Sequence, residues 1–305
     1  TFEEVGGEVV QSTSFVLRNF SDNRYIAKYY RLVEYPSSLS KREIFLMNKS
    51  LFLTKQERFS SILGNPICYW VSDKIFKLFN ECTRLGKIAE PRQGMATGNN
   101  NLYLRYWFEP EITNIGFGFE NSESAKNSKL KWFPYNKGGT YRKWYGNQDF
   151  VVNWKNDGQE IKREKGSVIR NENYYFKEGI TWSSVSSTIG LRFSPKGFLF
   201  DSKGPVCFPL EKSNLNFILG LLNSKQTAEF LKILSPTLDF TQGPLGKVPV
   251  IIPKDPKIKE KVEQITILNV TIAKLDWDSF ETSWDFKKHP FLTYRGEAKT
   301  LEECY

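Results

Sequence analysis

Residues 92–105 read RQGMATGNNNLYLR, and this stretch is the most informative part of the chain for fold and partner. Its two glycines lie four positions apart and let the backbone approach a partner closely. The short polar side chains beside them offer donors and acceptors, and the leading arginine is a planar fork suited to phosphate or guanine. No Gly-Lys-Ser/Thr follows, so the stretch is not a nucleotide-binding P-loop. Composition alone favours a tight turn. The candidate partner contacts are Arg92, Gly94, Thr97, Gly98, Asn99 and Asn101.

Further along the chain, residues 132–147 read WFPYNKGGTYRKWYGN and mix basic and aromatic side chains around a Gly-Gly turn. Cationic side chains supply phosphate contacts and aromatic rings supply stacking faces, a combination that grips nucleic acid. A hairpin with a cationic surface explains the same pattern. The candidate contacts in this segment are Lys137, Gly138, Arg142, Lys143 and Trp144.

A third segment, residues 179–187, reads GITWSSVSS and crowds hydroxyl side chains around one tryptophan. Hydroxyl groups can bond to phosphates or to base edges. A polar strand edge explains the pattern equally well. The candidate contacts are Thr181, Trp182 and Ser183.

The charge of the chain is concentrated in one region. The 305 residues include 43 Lys plus Arg and 34 Asp plus Glu, a net charge of +9. Residues 125–170 hold eleven of the basic residues and four of the acidic ones. Such a concentration indicates an anionic partner such as nucleic acid, with a solvated lysine-rich surface as the alternative. Aromatic residues make up 15% of the chain, and we expect most of them in a β-rich core.

Several classes of site are weakened by residue types that are rare or scattered. The four cysteines form no Cys-x-x-Cys pair, which argues against a zinc site and against a disulfide framework. The single histidine, His289, lies between a lysine and a proline, so a histidine-centred catalytic triad is not expected. No apolar run reaches 18 residues and no signal segment is present, so we expect no membrane partner and a cytoplasmic protein.

One nuclease-like pattern is kept as an alternative. Asp149, Glu160 and Lys162 mimic the spacing in which two carboxylates hold Mg²⁺ beside a lysine. Glu-x-Lys occurs by chance in any lysine-rich chain, however. We therefore treat a Mg²⁺-dependent nuclease as a minor alternative and predict no metal site.

The N-terminal part of the chain predicts a small block of strands and helices. Residues 7–19 and 24–35 are rich in β-branched and aromatic residues and predict two strands of a hairpin. Residues 40–43 form a capping-box pattern that predicts a short helix. A further helix is predicted from Asp73, capped by Ser72, to Leu85, where a glycine would end it.

The C-terminal part predicts short strands followed by helices. Residues 197–201, 206–210 and 247–252 predict strands, and residues 215–234 predict two short helices. An Asp-Pro pair begins a helix that runs to Leu275. We expect its apolar face to pack against the preceding domain, because the pattern lasts only about two and a half heptads, too short to favour a coiled coil. That face consists of Ile258, Val262, Ile265, Leu268, Ile272 and Leu275.

Taken in order, four stretches resemble the target-recognition half of BREX-type phage-defence adenine methyltransferases. They are RQGMATGNNNLYLR, WFPYNKGGTYRKWYGN, EGITWSSVSS with KGFLFD after it, and ILGLLNSKQTAEFLKILSPTLDF. The segment GPLGKVPVIIP follows in the matching order, and the set covers most of residues 65–253. The specificity domain of TaqI-type methyltransferases is a more distant likeness. Upstream, GGEVVQSTSFVLRN resembles the last strands of the family's catalytic domain.

The resemblance implies a mixed α/β (α+β) fold, in which a TaqI-like target-recognition domain of short strands and helices follows a remnant of the methyltransferase sheet. On this interpretation residues 1–60 are the trailing edge of the catalytic domain and residues 61–253 recognise the DNA target. Residues 254–305 form an amphipathic helix and a C-terminal extension. The implied partners are double-stranded DNA, the catalytic domain of the same parent chain and other subunits of the defence system.

The motifs of the chemical step are missing from this sequence. Adenine methylation uses an Asn/Asp-Pro-Pro-aromatic loop for the extruded base and a glycine-rich turn for S-adenosylmethionine, and neither occurs here. We predict no catalytic residue and no cofactor in this chain, with S-adenosylmethionine bound by the full-length parent. The predicted role is sequence recognition for site-specific adenine-N6 methylation in a restriction-modification or BREX system. A protein-interaction module of the same defence system, using the helix after Pro256 and the basic segment, is the alternative.

Overall fold

The chain divides into two compact units, Thr1–Cys82 and Thr83–Tyr305. The structure is a computed structural model that describes residues 13–20, 22, 24–300 and 302–304. Both units contain short strands and helices, which confirms the α+β fold class predicted from the sequence. The functional boundaries expected at residues 60 and 253 remain predictions.

The N-terminal unit is built on one antiparallel strand pair. Strand β1 (Ala27–Tyr30) pairs with β2 (Leu51–Thr54), and helix α1 (Ser38–Leu46) lies in the connection between them. Helix α2 (Asp73–Glu81) follows a short 3-10 turn. Large aromatic rings let this small unit bury apolar surface with few residues. Its buried apolar side chains are Ala27, Phe59, Ile62, Cys68, Val71, Phe76 and Phe79.

Two of the N-terminal predictions are wrong in their details. The strand predicted at residues 7–19 lies outside the described residues up to position 12, and residues 13–19 form no strand. The second predicted strand is present as β1, but it pairs with β2, so the predicted hairpin is not formed by the described residues. The helix after the capping-box pattern begins at Ser38 because Ser37 is the N-cap and Ser40 takes the third helical position of the box.

The C-terminal unit contains more strands and helices than its sequence pattern indicated. Its strands are β3 (Thr83–Arg84), β4 (Ala89–Arg92), β5 (Leu104–Tyr106), β6 (Trp132–Asn136), β7 (Phe150–Asn153), β8 (Gly179–Trp182), β9 (Leu191–Ser194), β10 (Leu199–Phe200), β11 (Val206–Pro209) and β12 (Pro249–Val250). Its helices are α3 (Asn100–Tyr103), α4 (Ser122–Asn127), α5 (Lys155–Arg163), α6 (Leu215–Leu222), α7 (Lys225–Leu234), α8 (Gln242–Gly246), α9 (Pro256–Trp277) and α10 (Pro290–Tyr294).

Two four-stranded sheets organise this unit. One has the order β10-β6-β7-β5, with β10 parallel to β6 and the other pairs antiparallel. The second, β4-β11-β8-β9, is antiparallel throughout. The strands predicted at residues 197–201 and 206–210 are present as β10 and β11, but they belong to different sheets. The connection at residues 201–205 therefore passes from one sheet to the other.

Aromatic side chains form much of the core that the two sheets share. The main buried cluster takes Phe133 and Tyr135 from β6, Phe200 from β10 and Phe208 from β11. Phe133 meets the ring of Phe176 edge-on, with ring centroids 5.7 Å apart. Edge-to-face contacts of this kind add to the gain from burying large apolar surfaces. Aromatic residues therefore serve this core, as the composition led us to expect.

The end of helix α2 was predicted four residues too late. It begins at Asp73 as predicted but ends at Glu81 rather than at Leu85. The next strand, β3, pairs antiparallel with β12 near the other end of the chain. Pairing with a distant strand overrides the local glycine signal for the helix end, because helix propensity is weaker than tertiary contacts.

The later helices follow the sequence pattern closely. Helices α6 and α7 divide the predicted helical stretch, and Ser224 caps α7 by accepting from Thr227 N. Helix α9 begins at Pro256 after the N-cap Asp255 and ends two residues beyond the predicted limit. These ends are predictable because caps and prolines act locally.

Most of the apolar face predicted for α9 does not pack inward. The helix lies against α6, where a Cβ added to Gly220 would come 2.4 Å from Thr266 Oγ1 and 3.1 Å from Val262 Cγ1. Thr266 and Trp277 are buried, whereas most of the predicted apolar face is exposed. The expectation that this face packs against the preceding domain is therefore wrong for five of its six residues, whereas Val262 meets α6 as expected. The exposed residues are Ile258, Ile265, Leu268, Ile272 and Leu275.

We predict that Gly94→Ala strongly destabilises the C-terminal unit. A Cβ at this position would lie 1.9 Å from Phe200 O, so the backbone must move. Overpacking against backbone costs about 3 kcal/mol or more. The matched control is Gly243→Ala on α8, where a Cβ meets nothing within 4 Å and the change should stay below about 1 kcal/mol. Urea unfolding of both variants is the measurement; equal unfolding midpoints would contradict this tight packing.

Candidate nucleic-acid interface

All three candidate segments form hydrogen bonds with the connection between the two sheets, residues 201–205. Its backbone donates to Met95 O in the first segment (2.9 Å) and to Asn136 O in the second (2.9 Å). It also accepts from Ser184 N of the third segment (3.0 Å). Segments that are far apart in sequence therefore meet at this junction. We call residues 93–101, 137–144, 183–190 and 201–205 the loop cluster.

The buried carboxylate of Asp201 holds the loop cluster together. Asp201 is 2% exposed, and its Oδ2 accepts from Lys137 Nζ (2.6 Å) and from Tyr135 OH (2.9 Å). Its Oδ1 accepts from Lys203 N (2.7 Å). A buried carboxylate stays charged only where cations and donors replace water. Burial, and then the nearby Asp201 charge, raises the pKa of Tyr135 well above its usual value, so the phenol remains a donor.

The first segment also contacts residues 165–168, which lie in the basic region of the chain. One residue after Met95, Ala96 exchanges backbone hydrogen bonds with Val168 (2.9 and 2.8 Å). Gly98 has a φ of +75°, and a Cβ there would come 2.8 Å from Ser167 N. The glycine is therefore required both by its backbone conformation and by a close approach of two chains. This contact places the 98–101 turn beside residues 165–168.

The fold itself uses some polar side chains of the first segment. Asn99 caps α3 by accepting from Leu102 N (3.2 Å), and the buried Thr97 donates to Asn100 Oδ1 (2.8 Å). Asn101 is exposed, and its side-chain amide makes no hydrogen bond to the part of the chain that the structure describes. Asn101 was predicted to contact a partner, and its side-chain amide is therefore available for such a contact.

Arg92 is engaged by neighbours at the end of β4. Its Nη2 donates to Glu90 Oε1 (2.5 Å) and to Tyr174 OH (3.2 Å), and its guanidinium lies 5.1 Å from the centre of the Tyr174 ring. The Tyr174 hydroxyl also donates to Glu90, and this bond, with Arg92, lowers the pKa of that glutamate. Because Glu90 and Tyr174 hold the Arg92 Nη2, and its buried Nε has no partner among the described residues, we do not base the interface on Arg92.

A glycine and an ion-paired lysine shape the turn in the middle of the second segment. Gly138 has a φ of +101°, and a Cβ there would lie 2.9 Å from Lys203 O. Lys137 is 26% exposed and pairs with Asp201. These two predicted contacts form the turn, whereas the residues just beyond them, Gly139 and Thr140, are the exposed ones.

The rest of the second segment rests on helices of the same unit. The guanidinium of Arg142 lies over the ring of Trp277 on α9, 5.0 Å from its centre. Lys143 Nζ donates to Asn223 O at the junction of α6 and α7 (3.0 Å). Trp144 is partly exposed and has a φ of 72°. The three predicted contacts therefore sit at the surface with part of each side chain turned to the protein.

The third segment lies in the interior. Thr181, Trp182 and Ser183 are all buried. Trp182 Nε1 donates to Phe240 O (2.7 Å), and Thr181 Oγ1 donates to Pro205 O (3.0 Å). Buried groups that already have partners cannot reach a duplex while the strand stays folded. We therefore leave these three residues out of the interface, since they hold the strand in place.

Three of the eleven basic residues of positions 125–170 line an open pocket between α4 and α5. The pocket has a volume of about 350 Å³ and is lined by Lys126, Asn156, Asp157, Gln159, Lys162 and Arg163. Lys162 pairs with Asp157 (2.8 Å) and with Glu172 (2.6 Å). Lys126 and Arg163 are exposed and form no ion pair with the described residues. This basic pocket therefore keeps a net positive charge.

Two exposed residues of the loop cluster were missed by the sequence analysis. Tyr141 is 52% exposed, and its ring lies beside Gly190, where a Cβ would be 3.1 Å from Tyr141 Cε2. Lys203 is exposed and pairs with Asp239 at the surface (2.8 Å). The first could have been singled out as an aromatic residue beside the Gly-Gly turn. The second had no such signal, because its place depends on the connection between the sheets.

A buried arginine lies beneath the second segment. Arg192 is 2% exposed, and no described residue accepts from its Nε. Its Nη atoms make only long contacts, with Ser183 Oγ (3.5 Å) and Arg142 O (3.4 Å). Burial, and then the like charge of Arg142, lowers the pKa of Arg192 to about 10. The guanidinium is therefore still charged at neutral pH and adds positive potential under the loop cluster.

The residues of the nuclease alternative have other contacts. Glu160 Oε2 accepts from Asn153 Nδ2 (2.9 Å), and Lys162 is paired as described above. Burial raises the pKa of Asp149. No group of three His, Cys, Asp or Glu side chains that could hold a metal ion occurs among residues 13–20, 22, 24–300 and 302–304. His289 accepts from Phe291 N (3.3 Å) and so caps a short helix.

The comparisons with known proteins point to one group of enzymes. Over 307 aligned residues the chain is 42% identical to the adenine-specific methyltransferase PglX of Lacticaseibacillus casei (strain Zhang), which covers 96% of this chain. It is 35% identical over 301 residues to the adenine-specific methyltransferase BrxX of Escherichia coli O9:H4 (strain HS), which covers 97% of this chain. The chain is homologous to part of the BREX-type adenine-specific methyltransferases.

The homology confirms the resemblance to BREX-type adenine methyltransferases. The assignment of these residues to the target-recognition half remains a prediction. The chain spans about a quarter of the length of these methyltransferase relatives, 25% of PglX and 24% of BrxX. No family model matches it. Within the described part of the chain, no helix has the length and apolar composition needed to cross a membrane.

Replacing Asp201 tests whether one carboxylate holds the loop cluster. We expect Asp201→Asn to lower the unfolding free energy by about 3 kcal/mol, because it breaks a buried ion pair and leaves Lys137 without its counter-charge. Asp276→Asn is the control, since it removes a carboxylate from a mostly exposed pair with Arg142 and should cost less than about 1 kcal/mol. The measurement is thermal unfolding followed by circular dichroism. Equal melting temperatures of the two variants would disprove this role of Asp201.

Proposed function

We propose that this chain is the DNA target-recognition part of an adenine-specific DNA methyltransferase of a BREX phage-defence system. The observation that carries the proposal is the position of the 98–101 turn. This turn is part of the loop cluster and lies beside residues 165–168, in the most basic part of the chain. Homology to two adenine-specific methyltransferases supplies the chemical setting.

In this proposal phosphate contacts and base contacts come from different parts of the surface. The cations of the basic pocket, with Lys203 and Arg142, bind the backbone, which positions the duplex without reading its sequence. Asn101 and the exposed Tyr141 are the residues that face base edges. An asparagine amide pairs bidentately with adenine in the major groove, and each such contact discriminates by about 1–3 kcal/mol. The buried charge of Arg192 strengthens the attraction for an anionic partner.

The chemical step belongs to the whole methyltransferase. In our proposal its catalytic domain binds S-adenosylmethionine and receives the extruded adenine, whose exocyclic nitrogen takes the methyl group. Extruding a base costs a few kcal/mol, so the recognition surface has to hold the flanking duplex firmly. The interface that we propose comprises Gly98, Asn99, Asn101, Lys126, Lys137, Gly138, Tyr141, Arg142, Lys143, Trp144, Arg163 and Lys203.

A salt series tests the DNA-binding proposal directly. We expect this chain to bind fluorescent duplex DNA with a log affinity that falls by about 0.9 per phosphate contact for each unit of log salt. Lys126→Ala with Arg163→Ala should reduce that slope by about 2 without changing the melting temperature, because neither side chain has an ion-pair partner among the described residues. Fluorescence anisotropy is the measurement.

The matched control removes the same two charges elsewhere. Lys225→Ala with Lys232→Ala changes α7 and should leave the salt slope as it is. An equal reduction in both double variants would show only a response to net charge. Absence of binding at low salt would refute DNA recognition by this chain.

Sequence preference is expected to depend on Asn101. Asn101→Ala should change the preferred bases in a selection from random duplexes while leaving the melting temperature unchanged, because its amide has no partner in the described fold. Asn99→Ala should instead cost about 1 kcal/mol of stability, because it removes the cap of α3. If Asn101→Ala left the selected sequences unchanged, base reading would have to be assigned to another residue.

A further inference from the structure

Helix α9 carries an apolar stripe that the described part of the chain does not cover. Its residues are each between 50% and 65% exposed, although all are isoleucine or leucine. The stripe runs along one side of a 22-residue helix. Scattered apolar residues are common on protein surfaces, but a continuous line of them marks a site of interaction. The residues of the stripe are Ile258, Ile265, Leu268, Ile272 and Leu275.

The stripe is not needed to hold α9 in its own unit. The inward side of the helix packs against α6 through Val262 and Thr266 at the close approach to Gly220. At its C-terminal end Trp277 is buried under Arg142, and Lys274 Nζ pairs with Asp278 (2.5 Å) and Asp285 (3.1 Å). The helix is thus fixed by one face, and the stripe lies on the other.

The spacing of the stripe indicates that its partner is a helix. From Ile265 onward its residues follow one another at intervals of three, four and three positions, and Ile258 lies one heptad before Ile265. This is the a/d pattern of a two-helix seam, with one lysine, Lys261, at a d position. A helix that lies on a membrane has a wider apolar face, usually with aromatic residues. This stripe is narrow and carries no aromatic side chain.

The charges beside the stripe define the partner further. Lys254, Lys257 and Lys261 accompany its N-terminal half, and none of them forms an ion pair with the described residues. Two carboxylates without an ion pair among those residues, Asp255 and Glu260, lie in the same stretch, so this half of the helix keeps a positive surplus. In a parallel pair of identical helices Lys261 would face its own copy, which disfavours that arrangement. A helix that carries carboxylates in positions opposite these lysines would neutralise them. Charge therefore favours an acidic amphipathic helix over a second copy of α9.

We propose that the outer face of α9 docks an acidic amphipathic helix of the same methyltransferase, from the part that lies outside these 305 residues. This inference rests on the proposed function. The relatives supply the source, since the matched segment is a quarter of their length and three quarters of their sequence lies elsewhere. The docked helix would join the recognition unit to the rest of the enzyme through a rigid element that also supports the second segment.

The chemistry of the partner can be tested with a designed peptide. The probe is a fluorescent 21-residue helix with isoleucine and leucine at a and d and glutamate at e and g; the comparison peptide carries lysine at e and g. We expect the acidic probe to bind this chain at least tenfold more tightly than the basic one. Leu268→Asp should abolish that binding, and Ile267→Asp should not. Ile267 is a matched control, since it is also about half exposed but lies outside the a/d pattern.

The source of the partner can be tested in a longer protein. We would replace the matched quarter of L. casei PglX with this chain and compare thiol labelling at Leu268→Cys and Ile267→Cys by peptide mass spectrometry. We expect the cysteine at 268 to be labelled at least tenfold more slowly in the longer protein than in this chain, and the cysteine at 267 to be labelled at similar rates in both. Equal labelling at 268 would overturn the proposal.

Other occupants of the stripe are distinct outcomes of the same experiments. Concentration-dependent self-association of this chain in sedimentation equilibrium, lost in Leu268→Asp, would overturn the proposal in favour of a second copy. Binding to vesicles that contain one quarter anionic lipid, lost in the same variant, would overturn it in favour of a membrane surface. The salt slope for DNA is read on the same samples, and Leu268→Asp should leave it unchanged. A failure of docking is thereby separated from a failure of DNA recognition.

Discussion

The candidate interface depends on one buried negative charge. Asp201 lies in the connection between the two sheets, and its carboxylate must be satisfied by the protein because water is excluded. Its donors are Tyr135 on β6, Lys137 in the turn that follows β6, and Lys203 N in the connection itself. This requirement fixes the second segment against the connection before any ligand is present. Preorganised loops lose less entropy on binding than loops that have to order around a ligand.

The residues that shape the loop cluster differ from those that project from it. Gly98 and Gly138 are needed for backbone conformation and close approach, and Thr97 and Asn99 are used within the turn or as a cap. The side chain of Asn101 remains open to solvent. Resemblance to a family motif therefore indicates where the loops lie, because most residues of the motif set the conformation of the loop. It says much less about which side chains meet the partner.

Local signals in the sequence predicted some of the elements, but not most strands of the two sheets and not which strands pair. The caps of α7 and α9 and the strands β10 and β11 could be predicted because those signals act over a few residues. The sequence did not indicate that β10 and β11 join different sheets, because strand periodicity does not identify a strand's neighbour. The same limit hid the burial of Trp182. For α9, periodicity found the strongest apolar stripe, but the small Gly220 decided which face packs inward.

Helix α9 supports the loop cluster at its C-terminal end and carries the exposed apolar stripe on its outer face. Its C-terminal end supports the second segment, since Arg142 lies on Trp277 and pairs with Asp276 on the same helix. Its outer face stays open over a length of about 25 Å, at 1.5 Å per residue. An enzyme that reads one site and modifies an adenine within it must hold its reading loops at a fixed distance from its reaction centre. A rigid helix that packs beneath the loops on one side and receives the rest of the enzyme on the other meets that requirement. On the proposed function, the exposed stripe would act together with the reading loops, because it would fix where the bases that are read lie relative to the adenine that is modified.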